Sequence, residues 1–197
     1  MELAPDGLET SRIRLAALRE EDREEIRRSR AVDDMWTSMV VVASGMSLDA
    51  YFNHTLRMAE IGIGLGLTAR LKSDNSLAGL AAFLLPNRLH RRIRIGYIWI
   101  RPDLRGEGLT DHIHYLMLKS AIDWRARRVE WWIPDRNAQA LGKVERLGAQ
   151  REGLLRQHSR FADGSWVDMA VLSLINDEIR ATVKRIGQQI DEDGHTA

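Results

Sequence analysis

At 197 residues, 44% hydrophobic and 29% charged, the chain has the length of one domain and the composition of a soluble globular protein with a sizeable core. Its formal net charge of +1 argues against a broad nucleic-acid-binding surface, and its lack of cysteine excludes disulfides, thiolate metal sites and a cysteine nucleophile. No run approaches the ~18 to 20 apolar residues of a membrane span, and no basic-then-apolar leader opens the sequence, so the expected location is cytoplasmic.

Residues 1–10 read as a lead-in. Ile13, Leu15 and Ala17 alternate with Arg12, Arg14 and Ala16, the two-residue period of a strand. A first helix is expected over residues 20–30. It has Glu20, Glu21 and Asp22 in its first turn and Arg27, Arg28 and Arg30 in its last, the polarity that complements a helix dipole. Residues 31–46 show no clear period, and Trp36 there is either a core tryptophan or a substrate contact. Ser47 caps a second helix to residue 61, which Gly62, Gly64 and Gly66 break.

Leu65, Leu67, Ala69 and Leu71 alternate as a second strand, and residues 73–76 turn the chain. The nearly all-apolar residues 77–85 read as a third strand covered on both faces, closed by Pro86 and Asn87. Arg88, His90, Arg91, Arg92 and Arg94 follow as a basic cluster, either a solvated loop or an attraction for an anion. In a fourth strand Ile93, Ile95, Tyr97 and Trp99 are expected on one face, with Arg94, Gly96, Ile98 and Ile100 on the other. Pro102 lacks an N–H and ends that ladder.

Leu109, Ile113, Leu116, Met117, Ser120, Ala121 and Trp124 then mark one face of a helix. Residues 128–133 form a fifth strand with Trp131 and Trp132 on opposite faces. Asn137 starts a fourth helix lined by Leu141, Val144 and Leu147, and Gly148 is the left-handed residue after its end. Residues 150–160 and 165–174 are two final strands around the hairpin signal Asp163-Gly164. A last helix is expected over residues 176–189, with a polar tail at 190–197. There is no internal repeat, and the order of elements suits a single α/β (α+β) domain over residues 1–197, with helices on both faces of a sheet.

Between the fourth strand and its helix stands Arg105-Gly106-Glu107-Gly108-Leu109-Thr110. The first turn of a helix carries unpaired N–H groups and a partial positive charge, and glycines let that backbone approach an anion closely. Together they make a phosphate cradle; the plainer alternative is an ordinary strand-to-helix turn. It is not a Walker loop, since no Gly-Lys-Ser/Thr follows, and Asp111 stands where a dinucleotide-binding loop has its third glycine.

The loop resembles the acetyl-coenzyme A loop of the GNAT acetyltransferases, Gln/Arg-x-x-Gly-x-Gly/Ala: positions 105–109 match and Thr110 departs. Further stretches resemble the RimJ/RimL, or ribosomal-protein N-acetyltransferase, branch. These are residues 8–15, Ile95-Gly96-Tyr97, Asp135-Arg136-Asn137, Leu147-Gly148-Ala149, Glu152-Gly153 and residues 163–168. The resemblance spans residues 8–175 in order.

It implies a GNAT fold: one mixed, mostly antiparallel sheet of about seven strands, splayed between strands 4 and 5. It implies acetyl-CoA as co-substrate, no metal, and direct acetyl transfer to a primary amine. That amine belongs to a protein or peptide N-terminus or a small molecule, in a monomer or homodimer with no membrane or nucleic-acid partner. By the same resemblance the cofactor is held by backbone near Ile98, Trp99 and Ile100, by Arg105, Gly106, Glu107, Gly108, Leu109 and Thr110, and by Asn137, which doubles as a helix N-cap. The basic residues 88–94 then attract an acidic acceptor or coenzyme A phosphates.

Relatives often carry a glutamate where Arg94 stands and a serine where Ala140 stands, so the catalytic groups remain unidentified. Candidates are Glu130, His158 and Asp168, with arginine pairing across strands as the alternative role for the two acids. Tyr97, Tyr115, His112 and His114 are further proton-shuttle types whose alternative is a structural or exposed role. The two departures leave a second reading open, a non-catalytic GNAT-fold coenzyme A-binding module.

Overall fold

The computed structural model describes residues 3, 7–29, 40, 47–161 and 163–195, with side chains described as far as residue 191. The strands are β1 (Ile13–Ala17), β2 (Gly64–Leu71), β3 (Leu77–Asn87), β4 (Arg92–Ile100), β5 (Arg128–Pro134), β6 (Gln150–Arg160) and β7 (Trp166–Ile175). The helices are α1 (Arg23–Arg28), α2 (Leu48–Glu60), α3 (Leu109–Asp123), α4 (Ala138–Arg146) and α5 (Asp177–His195).

All seven strands join one mixed sheet in the order β1-β2-β3-β4-β5-β7-β6. Every neighbouring pair is antiparallel except β4 and β5, which run parallel. One face carries the larger core, where α3, α4 and α5 bury Leu109, Ile113, Leu116, Leu141, Val144 and Ile186 against the strands. On the other face α1 and α2 bury Ile26, Leu48, Tyr51 and Phe52 against Leu77, Leu80 and Trp99. The expected α/β sheet with helices on both faces is present.

Several elements begin as their local chemistry dictates. The Ser47 hydroxyl accepts the Ala50 N–H and starts α2, and the Asn137 side-chain Oδ1 accepts the Ala140 N–H and starts α4. Gly148, at φ 91°, ends the turn after α4.

The structure departs from the expected helix ends. The acidic residues Glu20–Asp22 form a separate 3-10 turn, and α1 is six residues long. Asp22 and Glu25 there hold Arg70 of β2 at 2.7 Å each, so tertiary pairing shapes this segment as well as the helix dipole. The last helix runs to His195, through most of the expected tail, and Ile190 in that extension is buried. Trp36 lies outside the described residues.

β4 departs most from its expected pattern. Gly96 stands opposite Ala82 and Trp99 opposite Leu80, so β4 holds one residue more than β3 over that interval. The extra residue is a bulge, with Tyr97 at φ 53°. It inverts the alternation: Ile93, Ile95, Ile98 and Ile100 face the larger core, while Tyr97 and Trp99 face α2. The expected grouping of Tyr97 and Trp99 with Ile93 and Ile95 therefore fails, because a bulge resets a period of two.

The parallel ladder between β4 and β5 is short. It pairs Arg92 with Arg128, Ile93 with Val129 and Arg94 with Glu130, and stops. Beyond that point β4 continues on β3 and β5 continues on β7. The sheet therefore parts between residues 95–100 and 131–134, as expected for strands 4 and 5.

Candidate functional site

β4 ends at Ile100, a 3-10 turn follows at Pro102–Leu104, and residues 105–108 lead into α3. Gly106 has φ 89° and Gly108, the N-cap of α3, has φ 78°, and a Cβ at either position would meet nothing within 4 Å. The backbone here is left-handed and faces open space, conditions that favour glycine. Among the described residues, the N–H groups of residues 106–110 have no hydrogen-bond acceptor. They stand at the positive end of a 15-residue helix.

Neighbouring charges steady this loop. Arg12 forms an ion pair with the Glu107 carboxylate at 2.8 Å and also donates to the Glu107 carbonyl. Arg105 Nε donates to the Ile100 carbonyl at 3.2 Å. Lys143 of α4 pairs with Asp111 in the first turn of α3 at 2.5 Å. Arg12 and Lys143 escaped the sequence reading as site residues, because these contacts join positions 95 and 32 residues apart and no local signal marks them.

Ile98, Trp99 and Ile100 lie on the stretch of β4 that pairs with β3 but not with β5. Asn137 follows the end of β5, across the parting of the strands, and spends its side-chain Oδ1 on the α4 cap. The structure thus brings the expected cofactor residues to the two sides and the mouth of one gap.

On the α2 face, where the ladder stops, the side chains of Arg94, Glu130, Trp132 and His158 gather. The Arg94 guanidinium carbon lies 3.5 Å from the centre of the Trp132 ring. Its Nη2 is 3.4 Å from Glu130 Oε1, and its Nε is buried with no partner. Burial pushes the Arg94 pKa down, with Glu130 pulling the other way. Glu130 also receives Arg128 Nε at 3.0 Å, and Arg128 in turn holds Glu152 through both Nη atoms. That second contact holds the Glu152 carboxyl well below its usual range, at about 2.

Of the three acid–base candidates, Glu130 is buried between two arginines, the pairing that strand geometry suggested. Asp168 accepts the Gln157 N–H at 2.7 Å, where β6 is irregular. His158 is exposed, its ring 5.0 Å from that of Trp132 and its Nδ1 3.0 Å from the Ser159 hydroxyl. Tyr97, its hydroxyl pushed up by burial, stacks edge-on to Tyr51 at 5.4 Å.

The histidines of α3 point different ways, and both are buried. His112 meets the Thr10 hydroxyl, whereas His114 Nδ1 meets the Thr110 carbonyl and its Nε2 is buried without a partner. Burial pushes the His114 pKa down to about 4 against the pull of that carbonyl. The basic cluster disperses: Arg88 stacks over Trp124, Arg91 Nε donates to the Arg125 carbonyl, and Arg94 alone turns into the protein. Among the described residues, no group of three or more His, Asp or Glu side chains is arranged to hold a metal ion, and no helix is long and apolar enough to cross a membrane.

Three solved structures share this architecture. A GNAT-family protein from Chromobacterium violaceum is 24% identical, with a TM-score of 0.78 and coverage of 89% of each chain. A GCN5-related N-acetyltransferase from Brucella melitensis is 21% identical with a TM-score of 0.78, covering 91% of this chain and 83% of its own. Spermidine N-acetyltransferase from Vibrio cholerae, solved with CoA and spermine, is 17% identical with a TM-score of 0.72, covering 86% of this chain and 99% of its own. At such identities the likeness speaks for the fold. No curated protein matches the sequence. The sequence itself matches the acetyltransferase (GNAT) family over residues 31–149, more than half its length, and the chain belongs to that family.

Proposed function

We propose that this chain, as a single domain, transfers acetyl from acetyl-CoA to the primary amine of a protein or peptide N-terminus or of a small molecule, as a RimJ/RimL-type N-acetyltransferase. The observation that carries the reading is the parted sheet whose mouth meets five N–H groups that have no acceptor among the described residues. The unpaired edge of β4 suits an extended arm that adds to it like a strand, held at Ile98, Trp99 and Ile100. The N–H groups from Gly106 to Thr110 suit a pyrophosphate, with Arg105 beside them and Asn137 across the gap. The bound co-substrate supplies the activated acetyl group.

The chain's own part is to orient the amine and to take up its proton. The attacking amine must be neutral. Glu130, His158 and Asp168 remain the candidates, and two of them are occupied: Glu130 by arginines and Asp168 by a backbone N–H. Proton removal through water is the reading that fits this arrangement. Those same occupied acids favour the second reading, a coenzyme A-binding module without chemistry. Acetyl-CoA turnover against a panel of amines, with coenzyme A binding measured by calorimetry, separates the two. Turnover supports the transferase, binding without turnover on any amine supports the module, and neither binding nor turnover overturns both.

A further inference from the structure

The parting of β4 and β5 has an apex, and Arg94 stands at it. The last paired residues of the two strands are Arg94 and Glu130. A co-substrate arm that enters along β4 from the α3 end points its acyl group toward this apex. The larger core fills the α3 side of the sheet, so an acceptor has to approach from the α2 side, where Arg94, Tyr97 and Trp132 lie.

Arg94 is poorly satisfied for a cation largely withdrawn from solvent. A guanidinium has five N–H donors, yet the one hydrogen bond of the Arg94 side chain among the described residues is the long contact to Glu130. Glu130 is shared with Arg128 at the shorter distance of 3.0 Å. The Arg94 side chain is only 15% exposed, so water replaces few of the missing partners. Trp132 covers one face of the guanidinium at 3.5 Å and fixes its plane. A planar donor fork, preset by stacking and short of acceptors, is built for bidentate contact with a carboxylate.

We infer that Arg94 binds a carboxylate of the acceptor and so selects amines that carry one close to the reacting nitrogen. This rests on the acetyltransferase reading above and narrows its substrate class. Polyamines, such as the spermine bound to the Vibrio cholerae relative, fit poorly against a buried guanidinium. The carboxylate belongs either to a free amino acid or to an acidic residue at the start of a peptide.

The test uses matched pairs on the full chain saturated with coenzyme A. One arm compares phenylalanine with its carboxamide; the other compares a peptide that begins with aspartate and the same peptide beginning with asparagine. Binding is read by calorimetry, and acetylation is read separately with acetyl-CoA. The acid member should bind about 10- to 100-fold more tightly in at least one arm, the range for a charged hydrogen bond. Arg94→Met should erase that preference while retaining coenzyme A affinity, and Arg94→Lys should recover part of it. Equal affinity within both pairs, or a preference that survives Arg94→Met, overturns the inference. If Arg94→Met does not fold, the pairs on the unaltered protein decide alone. Acid preference without acetyl transfer removes the enzymatic reading and keeps this one; transfer without preference does the reverse.

Discussion

Arg12 clasps Glu107 across 95 positions of sequence, pairing with its carboxylate at 2.8 Å and donating to its carbonyl as well. The pair ties the loop before α3 to the first strand region and neutralises the one acidic side chain within the Arg-Gly-Glu-Gly turn. Both side chains are more than a third exposed, so their contribution to stability is small. Their effect should fall on the anion site instead. Arg12→Met leaves a bare carboxylate beside the N–H cradle and should weaken coenzyme A binding by about 3- to 10-fold at low salt. The double variant Arg12→Met/Glu107→Gln should recover most of that loss. A double variant as weak as the single one refutes the charge argument.

Gly108 caps α3 at φ 78°, a conformation that strains any residue with a Cβ, and the space before it is open. Gly108→Val should therefore keep the fold and disturb the backbone that meets the pyrophosphate. Coenzyme A affinity should drop at least ~10-fold, or ~1.4 kcal/mol, by calorimetry. Unchanged affinity would move the site elsewhere.

His114 gives the fold an acid sensitivity. Its folded pKa of about 4 lies below the usual 6.5, so between those values the unfolded chain holds a proton that the folded chain refuses. Stability rises with pH across that window and falls as pH is lowered through it. The loss should reach on the order of 2–3 kcal/mol by the bottom of the window. In urea unfolding, His114→Gln should be less stable than the parent at pH 7, because it disturbs buried packing, but should show a flatter slope between pH 6.5 and 4. An identical slope in both proteins would remove His114 as the cause.

The proton-transfer reading has its own test. With Glu130 and Asp168 occupied and His158 exposed, no single substitution among them should cost more than ~10²-fold in turnover. Rate should rise with pH toward the acceptor's own pKa, about 7.7 to 8.0 for an α-amine and about 10.4 for a lysine. Glu130→Gln is the variant most prone to unfold, since it leaves Arg94 buried without its carboxylate, a change typically worth about 3–5 kcal/mol. A variant of His158 or Asp168 that folds, binds coenzyme A normally and loses ~10⁴-fold would identify a base.

What the sequence determined by itself is local. Glycines at 106 and 108, the cap at Asn137, the left-handed Gly148 and the one-face grouping of Leu65, Leu67, Ala69 and Leu71 in β2 each act over a few residues, and each stands where its chemistry put it. Their geometry depends on φ preferences and on hydrogen bonds to near neighbours, which a short window contains. The family resemblance added the parted fourth and fifth strands, and the short ladder from Arg92 to Arg94 agrees.

Tertiary structure decided the rest. Whether Tyr97 faces Ile95 or Tyr51 depends on one extra residue in β4, and a bulge is visible only against the partner strand that lacks it. The basic residues 88–94 looked alike in a row, but Arg94 turned inward onto Trp132 and a carboxylate 36 positions away. His114 carries no mark of its low pKa in the sequence; burial in the packed core of α3 and β5 creates it. Desolvation and long-range pairing are properties of an assembled environment, so residue spacing leaves them open until the strands and helices have packed.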